Sequence, residues 1–475
     1  MTGLKHLVIF TEEKYILIYS DLIFMLGLFP AAAILSFLDR SAEYKNLILI
    51  IFSLLFFSWG KPFALCIIFL SSLFDWTMGF LVHKNQGKKS AAAYLGADCI
   101  FNAALFLIFG HNYLFRNISP LSLREEILPL GMAFYCLRGF SYVYDIYKEK
   151  AKPEKNWFCL LTYMVSFHLM ICGPAVRYKD LEPSIRHREI TMQKLNDGFI
   201  KLFTGFGKVV LLSSVFDRIK LAGLNGETIT FMGSWLGMLS FFAQYYFLIT
   251  GFSDMSKGMG YINGFEYPDN YGDINSKGFL SGIIKSLNTT VISFFEELFG
   301  LDKKEQNNHT KTLIASVLCG AVISIWYEAK LNFIIIGIIA GILCVLERIF
   351  LLDKAEKFPS FIRMVLLFIL TVILFGGLYF DSISGYGKWL LTLVGKGTNS
   401  FSSSKLNSLI LNNITLIIIS FFVICPPAKK LIKNICGKIE SSPTGCGTMK
   451  FIKTFCTASV FIISVITAAA EHSGV

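Results

Sequence analysis

FALCIIFLSSLFDWTMGFLV, residues Phe63–Val82, decides the class of this chain. Its 20 residues carry one charge, Asp75. About 20 mostly apolar residues are what a helix needs to cross the hydrocarbon core of a bilayer. Lipid offers no partners to backbone N–H and C=O groups, and a helix satisfies them internally. The same reading extends to Tyr15–Leu38, Leu47–Trp59, Ala92–Phe109, Trp157–Cys172, Phe199–Leu221 and Phe231–Thr250. It continues through Phe279–Phe299, Leu313–Trp326, Phe333–Leu351, Ile362–Phe380, Leu409–Ile424 and Phe451–Ala469. The expectation is an all-α polytopic membrane protein with about 11 to 13 transmembrane and re-entrant segments, the short ones tilted or incomplete.

Composition agrees. Hydrophobic residues make up 54% and charged residues 16%, with a mean hydropathy of +0.58. A soluble domain has about 25% charged residues, so soluble enzyme folds are excluded, and intrinsic disorder needs the opposite bias. The net charge of +11 sits in short loops such as Lys84–Lys89, Lys148–Lys155 and Lys429–Lys438. That placement follows the positive-inside rule and makes the bilayer, not nucleic acid, the partner. The 11 cysteines are scattered without a Cys-x-x-Cys pair and read as small buried hydrophobes. No cleavable signal peptide is evident: the first long apolar run begins after Glu12, Glu13 and Lys14 and lacks a clean small-residue cleavage site.

The chain divides on this reading into an N-terminal segment (1–14) and a membrane domain (15–380). A loop, one helix and a basic polar segment follow (381–450), then a C-terminal helix and tail (451–475). Gly395–Ser408 reads as a flexible Gly/Ser-rich loop and Pro426–Lys450 as a polar loop. Arg177–Lys194 reads as a basic amphipathic segment at the interface.

Ionisable residues within apolar runs are costly, and each is a candidate for function. They are Asp75, Asp98, Arg138, Asp145, His168, Asp254, Glu296, Glu297 and Glu328. In GFSDMSKGMGYING (Gly251–Gly264), Asp254 is either a helix-capping residue or the orienter of a polar partner. In CGPAVR (Cys172–Arg177), the chain either stops a helix or builds an anion-binding edge with Arg177 and Lys179. Glu328, after Trp326 and Tyr327, either reaches interfacial water or acts as a base. Gly337 and Gly341 form a Gly-x-x-x-Gly pair suited to close helix packing. Of the 7 histidines only His168 lies well inside an apolar run; it is a hydrogen-bonded core residue or a base. No histidine pair has metal-ligand spacing, so no metal site is expected.

Four pieces in order carry a family likeness: KNLILIIFSLLFFSWGKP from Lys45, LPLGMAFYCLRGFSYVYDIYKEK from Leu128, CGPAVRYKDLEPSIRHREIT from Cys172 and GFSDMSKGMGYINGFEYPDNY from Gly251. They resemble the membrane-bound O-acyltransferase family, in its branch of alginate O-acetyltransferases and D-alanyl-transfer proteins. The likeness runs from Tyr15 to Phe380. It implies a ring of tilted helices around a central tunnel in the cell membrane. It also implies transfer of an acyl group, such as acetyl, from a cytosolic thioester to a hydroxyl of a cell-surface polysaccharide. The donor would be an acyl carrier protein or acetyl-CoA, with no bound cofactor. A secreted or membrane-anchored acyltransferase is the implied partner.

The resemblance also implies site residues. The family's Trp-His-Gly element aligns with Trp326, Tyr327 and Glu328. Its earlier histidine aligns with Asn288, and Lys285 stands near its paired arginines. Arg177, Tyr178, Asp180 and Asp254 fall on donor-side motif positions. An amide cannot take a proton, and a phenol is a poor base at neutral pH. Three readings stay open: an acyltransferase with an altered site that uses Glu328, His168 or Tyr327; a catalytically inactive relative that serves as a binding or partner subunit; and a transporter or channel.

Overall fold

A computed structural model describes residues 18–39, 41–59, 62–110, 131–171, 173, 175–225, 229–272, 280–302, 309–328, 330–347, 360–380, 382–398, 400–441 and 443–473. Pro129, Cys172 and Pro174 of the motifs above lie outside the described residues.

Among the described residues the chain is helical and contains no β-strand. In order come α1 (Phe29–Ser36), α2 (Ala42–Ser58), α3 (Ala64–Lys84), α4 (Lys89–Leu105), α5 (Met132–Tyr147), α6 (Trp157–Val165), α7 (Tyr178–Arg186) and α8 (Met192–Gly207). Then follow α9 (Ser214–Leu224), α10 (Phe231–Ile262), α11 (Leu280–Leu287), α12 (Thr289–Leu298), α13 (His309–Tyr327) and α14 (Leu331–Leu346). The last six are α15 (Ser360–Tyr379), α16 (Ile383–Thr392), α17 (Ser404–Asn412), α18 (Ile414–Ile424), α19 (Pro426–Glu440) and α20 (Pro443–Ser473). Among the described residues, six helical stretches are long and apolar enough to cross a membrane, or seven if α17 and α18, bent by 71°, form one broken span. Phe24–Ser36, Leu331–Leu346 and Val365–Tyr379 are shorter apolar helices. The protein is an all-α, multi-pass membrane protein, built from full crossings and shorter helices as its hydropathy predicts.

The chain forms two compact units. One comprises Thr11–Leu202 and Phe252–Asp269; the other is made chiefly of Phe203–Gly251 and Asn270–Val475. In the first unit, α3, α4 and α5 pack around Asp75, Asp98 and Asn102, all nearly inaccessible to solvent. The Asn102 amide donates to Asp75 at 2.9 Å. Gly139 permits the fit, because a Cβ there would lie 2.3 Å from Asp75 Oδ2. In the second unit, Phe241, Phe242 and Trp389 anchor a buried aromatic core. There α13 and α14 pack backbone to backbone: a Cβ on Gly337 would lie 2.3 Å from the Gly320 carbonyl oxygen, and one on Gly341 2.5 Å from that of Ser316. The Gly-x-x-x-Gly pair is a packing device.

Several boundaries differ from the hydropathy reading. Trp157–Cys172 is not one helix: α6 ends at Val165, Ser166 leaves the helical region at φ −47° and ψ 109°, and a short 3₁₀ turn follows. Phe279–Phe299 is broken at Asn288 into α11 and α12. Pro426–Lys450 is not a loop but α19 and the start of α20. Its charge suggests a loop, yet Leu431, Ile432, Ile435 and Ile439 recur at helical spacing. Gly395–Ser408 includes the first turn of α17, which Ser403 caps by accepting from Leu406 N.

Candidate functional site

Asn288 and Tyr327 meet in the second unit. Asn288 is the N-cap of α12, a position where an Asn oxygen satisfies a free backbone donor. Its Oδ1 accepts from Val291 N at 3.4 Å, while its Nδ2 donates to the Tyr327 hydroxyl at 2.9 Å. Tyr327 is the last residue of α13, and its ring meets Trp326 edge-on, centroids 5.0 Å apart. The α12 N-terminus is fixed further by Asn270. Its carbonyl accepts from Thr289 N at 2.8 Å, and its side-chain oxygen accepts from the Thr290 hydroxyl.

Beside this contact the chain turns into Glu328, which is 1% exposed. Its Oε1 forms an ion pair with Lys330 Nζ at 2.6 Å. Glu328 therefore does not reach interfacial water, the alternative its position near a helix end allowed. Lys285, on α11, pairs with Glu296 of α12. A further carboxylate escaped the sequence reading: buried Glu347 accepts from the backbone N–H groups of Leu280 and Ser281, capping the start of α11. The rule that selected Glu328, a charge inside an apolar run, would also have selected Glu347.

The remaining candidates lie in the first unit. His168 is fully buried, with the Tyr267 hydroxyl 2.9 Å from Nδ1 and 3.1 Å from Nε2. Its ring also meets Phe265 edge-on. The turn that carries Phe265 and Tyr267 back from α10 passes through Gly264 at φ +82°. Glycine is needed there both for that backbone and because a Cβ would lie 2.8 Å from Arg188 Cγ. Arg188 is buried, stacks over Phe265 at 4.2 Å and donates to Asn46. Burial pushes its guanidinium below its ordinary pKa. His168 thus sits in a tightly packed, hydrogen-bonded core.

Arg177 pairs with Asp145 of α5. Tyr178 begins α7 and donates to the buried carboxylate of Glu154, which also receives Arg186 at 2.6 Å. Burial pushes the Tyr178 hydroxyl above its ordinary pKa, and the bond to Glu154 adds to that shift. The hydrogen bond from Arg186 to Glu182 raises the Arg186 pKa. Glu154 ties α3, α5 and α7 together, since its carbonyl accepts from Trp76 and its N–H bonds the Tyr142 hydroxyl. Asp180 is exposed in the first turn of α7. Asp254 lies within α10, not in a loop after it, and faces Lys201 at 3.4 Å. The structure thus joins Asn288, Trp326, Tyr327 and Glu328 in one unit, and distributes His168, Arg177, Tyr178, Asp180 and Asp254 through the other. No group of three or more His, Cys, Asp or Glu residues suited to a metal occurs among the described residues.

No protein-family model matches the chain. Over 373 residues it is 25% identical to the probable alginate O-acetylase AlgI of Pseudomonas aeruginosa, covering 75% of this chain and 71% of that protein. The corresponding Pseudomonas putida protein is 25% identical over 376 residues, covering 75% of this chain and 76% of that one. The resemblance to the membrane-bound O-acyltransferase family, in its alginate O-acetylase branch, holds. A peptidoglycan O-acetyltransferase of Helicobacter pylori is also similar, 22% identical over 398 residues and 75% of each chain. Each of these relatives aligns with 75% of this chain.

Proposed function

We propose that this chain is an O-acyltransferase of the cell membrane that passes an acetyl group from a cytosolic thioester to a hydroxyl of a cell-surface polysaccharide. The observation that carries the reading is the Asn288–Tyr327 hydrogen bond. It joins two positions that are 39 residues apart and that the family resemblance makes the reacting pair. In this reading the acceptor hydroxyl oxygen attacks the thioester carbonyl, a C–O bond forms and the C–S bond breaks. Glu328 takes the hydroxyl proton and returns it to the departing thiolate. The Asn288 amide and the Tyr327 hydroxyl supply hydrogen bonds to charge developing on the carbonyl oxygen. An acyl carrier protein or acetyl-CoA is the donor, and a secreted or membrane-anchored acyltransferase is the fitting partner.

One observation favours a second reading, a non-catalytic relative that binds a carrier or partner subunit. The Asn288–Tyr327 contact holds no imidazole, and the carboxylate beside it is engaged by Lys330. O-acetyl content of surface polysaccharide separates the two readings. Cells lacking the gene, complemented with the wild type, Glu328→Gln or Tyr327→Phe, are compared. Loss of acetylation in Glu328→Gln with normal membrane levels supports catalysis. Acetylation that needs the protein but ignores both substitutions selects the binding role. Acetylation unchanged by deletion of the gene removes the enzyme reading.

A further inference from the structure

The second unit contains a cavity of about 600 Å³. Its wall is built mainly from α9, α10, α15 and α18, through residues such as Phe216, Leu239, Phe242, Phe368, Ile417 and Phe421. Only Ser240, Ser420 and Cys425 interrupt the hydrocarbon, and the Ser420 hydroxyl is spent on the Leu416 carbonyl at 2.7 Å. Small-molecule sites of about 300–1,000 Å³ usually place several polar groups to orient the ligand. This one does not, so the buried part of its occupant is hydrocarbon, unlike a thioester or a sugar hydroxyl. The nearest source of hydrocarbon is the bilayer itself, because α18 exposes Ile418, Ile419, Phe421 and Phe422.

Basic residues lie close in the chain to lining residues. Lys429, four residues past the lining Cys425, donates to the Tyr246 hydroxyl at 3.3 Å, one turn beyond the lining Phe242 and Ala243. Arg363 precedes the lining Val365 by two residues at the start of α15. The first turn of α19 holds no acidic residue and is followed at once by Lys429 and Lys430. Cations near a helix N-terminus oppose its dipole, and a neighbouring negative charge offsets both. Farther along, exposed Leu431, Ile432 and Ile435 share α19 with Lys433 and Lys438, a basic amphipathic pattern suited to the bilayer interface.

We propose that the cavity holds an acyl chain of an anionic phospholipid whose phosphate is bound by Lys429 and Lys430. Charge selects the lipid, since zwitterionic headgroups carry no net charge to offset the lysines. This site is independent of the acyl-transfer reading. The full-length protein is reconstituted in vesicles of equal parts phosphatidylglycerol and phosphatidylcholine and extracted into detergent. Retained lipid is then measured by mass spectrometry. The wild type should retain phosphatidylglycerol in preference to phosphatidylcholine. Ser420→Trp, or the milder Ser420→Leu if the first aggregates, fills the cavity and should lose the retained lipid. Lys429→Gln with Lys430→Gln should keep lipid but lose the preference. Equal retention of both lipids by the wild type overturns the proposal. So does full retention in the monodisperse cavity variant, or an unchanged preference in the lysine variant.

Discussion

The Asn288 amide nitrogen lies 2.9 Å from the Tyr327 hydroxyl, and the same side chain's oxygen caps α12. One short amide therefore both starts a helix and ties it to the end of α13. The two roles separate by mutation. Asp caps a helix about as well as Asn, so Asn288→Asp should preserve thermal stability; Asn288→Ala should lose about 1 kcal/mol. Both remove the donor to Tyr327, and both should lower O-acetyl transfer. A stable Asn288→Asp protein with undiminished transfer would show that the contact is only structural.

Tyr327→His would place an imidazole at the position the family resemblance makes the proton acceptor. Transfer should rise by about 10²-fold, the lower end of what a positioned general base contributes. The assay is acetyl release to polysaccharide by reconstituted protein. Transfer equal to or below that of the wild type would separate Tyr327 from the reacting hydroxyl.

Lys330→Gln leaves the buried Glu328 carboxylate without its ion-pair partner. Removal of one partner of a buried pair costs about 3–5 kcal/mol. The variant should unfold at a clearly lower temperature in detergent, whereas Lys438→Gln, on the exposed face of α19, should not. Equal melting of the two variants would show that Glu328 draws its support from elsewhere.

Gly337→Ala brings a Cβ 2.1 Å from Ser324 Oγ and 2.3 Å from the Gly320 carbonyl. Overpacking of this kind costs about 1–3 kcal/mol. Thermal stability should fall, and transfer should fall with it, because α13 carries Tyr327. Gly387→Ala, where an added Cβ meets nothing within 4 Å, is the control.

Hydropathy was enough for the membrane class, and the Gly337–Gly341 spacing marked a close helix contact without naming its partner α13, since apolar runs and glycine spacing are local properties of the chain. Counting apolar residues could not find the break at Asn288, because one capping amide hardly changes the mean of a window. The same count hid α19, where lysines outweigh a helical apolar stripe. His168 stood out in sequence, but Tyr267, which bonds it, lies 99 residues away and carries no local signal. The family resemblance paired Asn288 with Tyr327, and the fold brings them into contact. It does not by itself make Glu328 a base, and the ion pair with Lys330 is visible only in three dimensions.

The glycine seam between α13 and α14 makes the hairpin behave as one rigid strut. A side chain at its tip, such as Tyr327, is aimed jointly by this close pairing and by the Asn288 amide. A substitution in the seam therefore acts at a distance, shifting the position of Tyr327 without touching it.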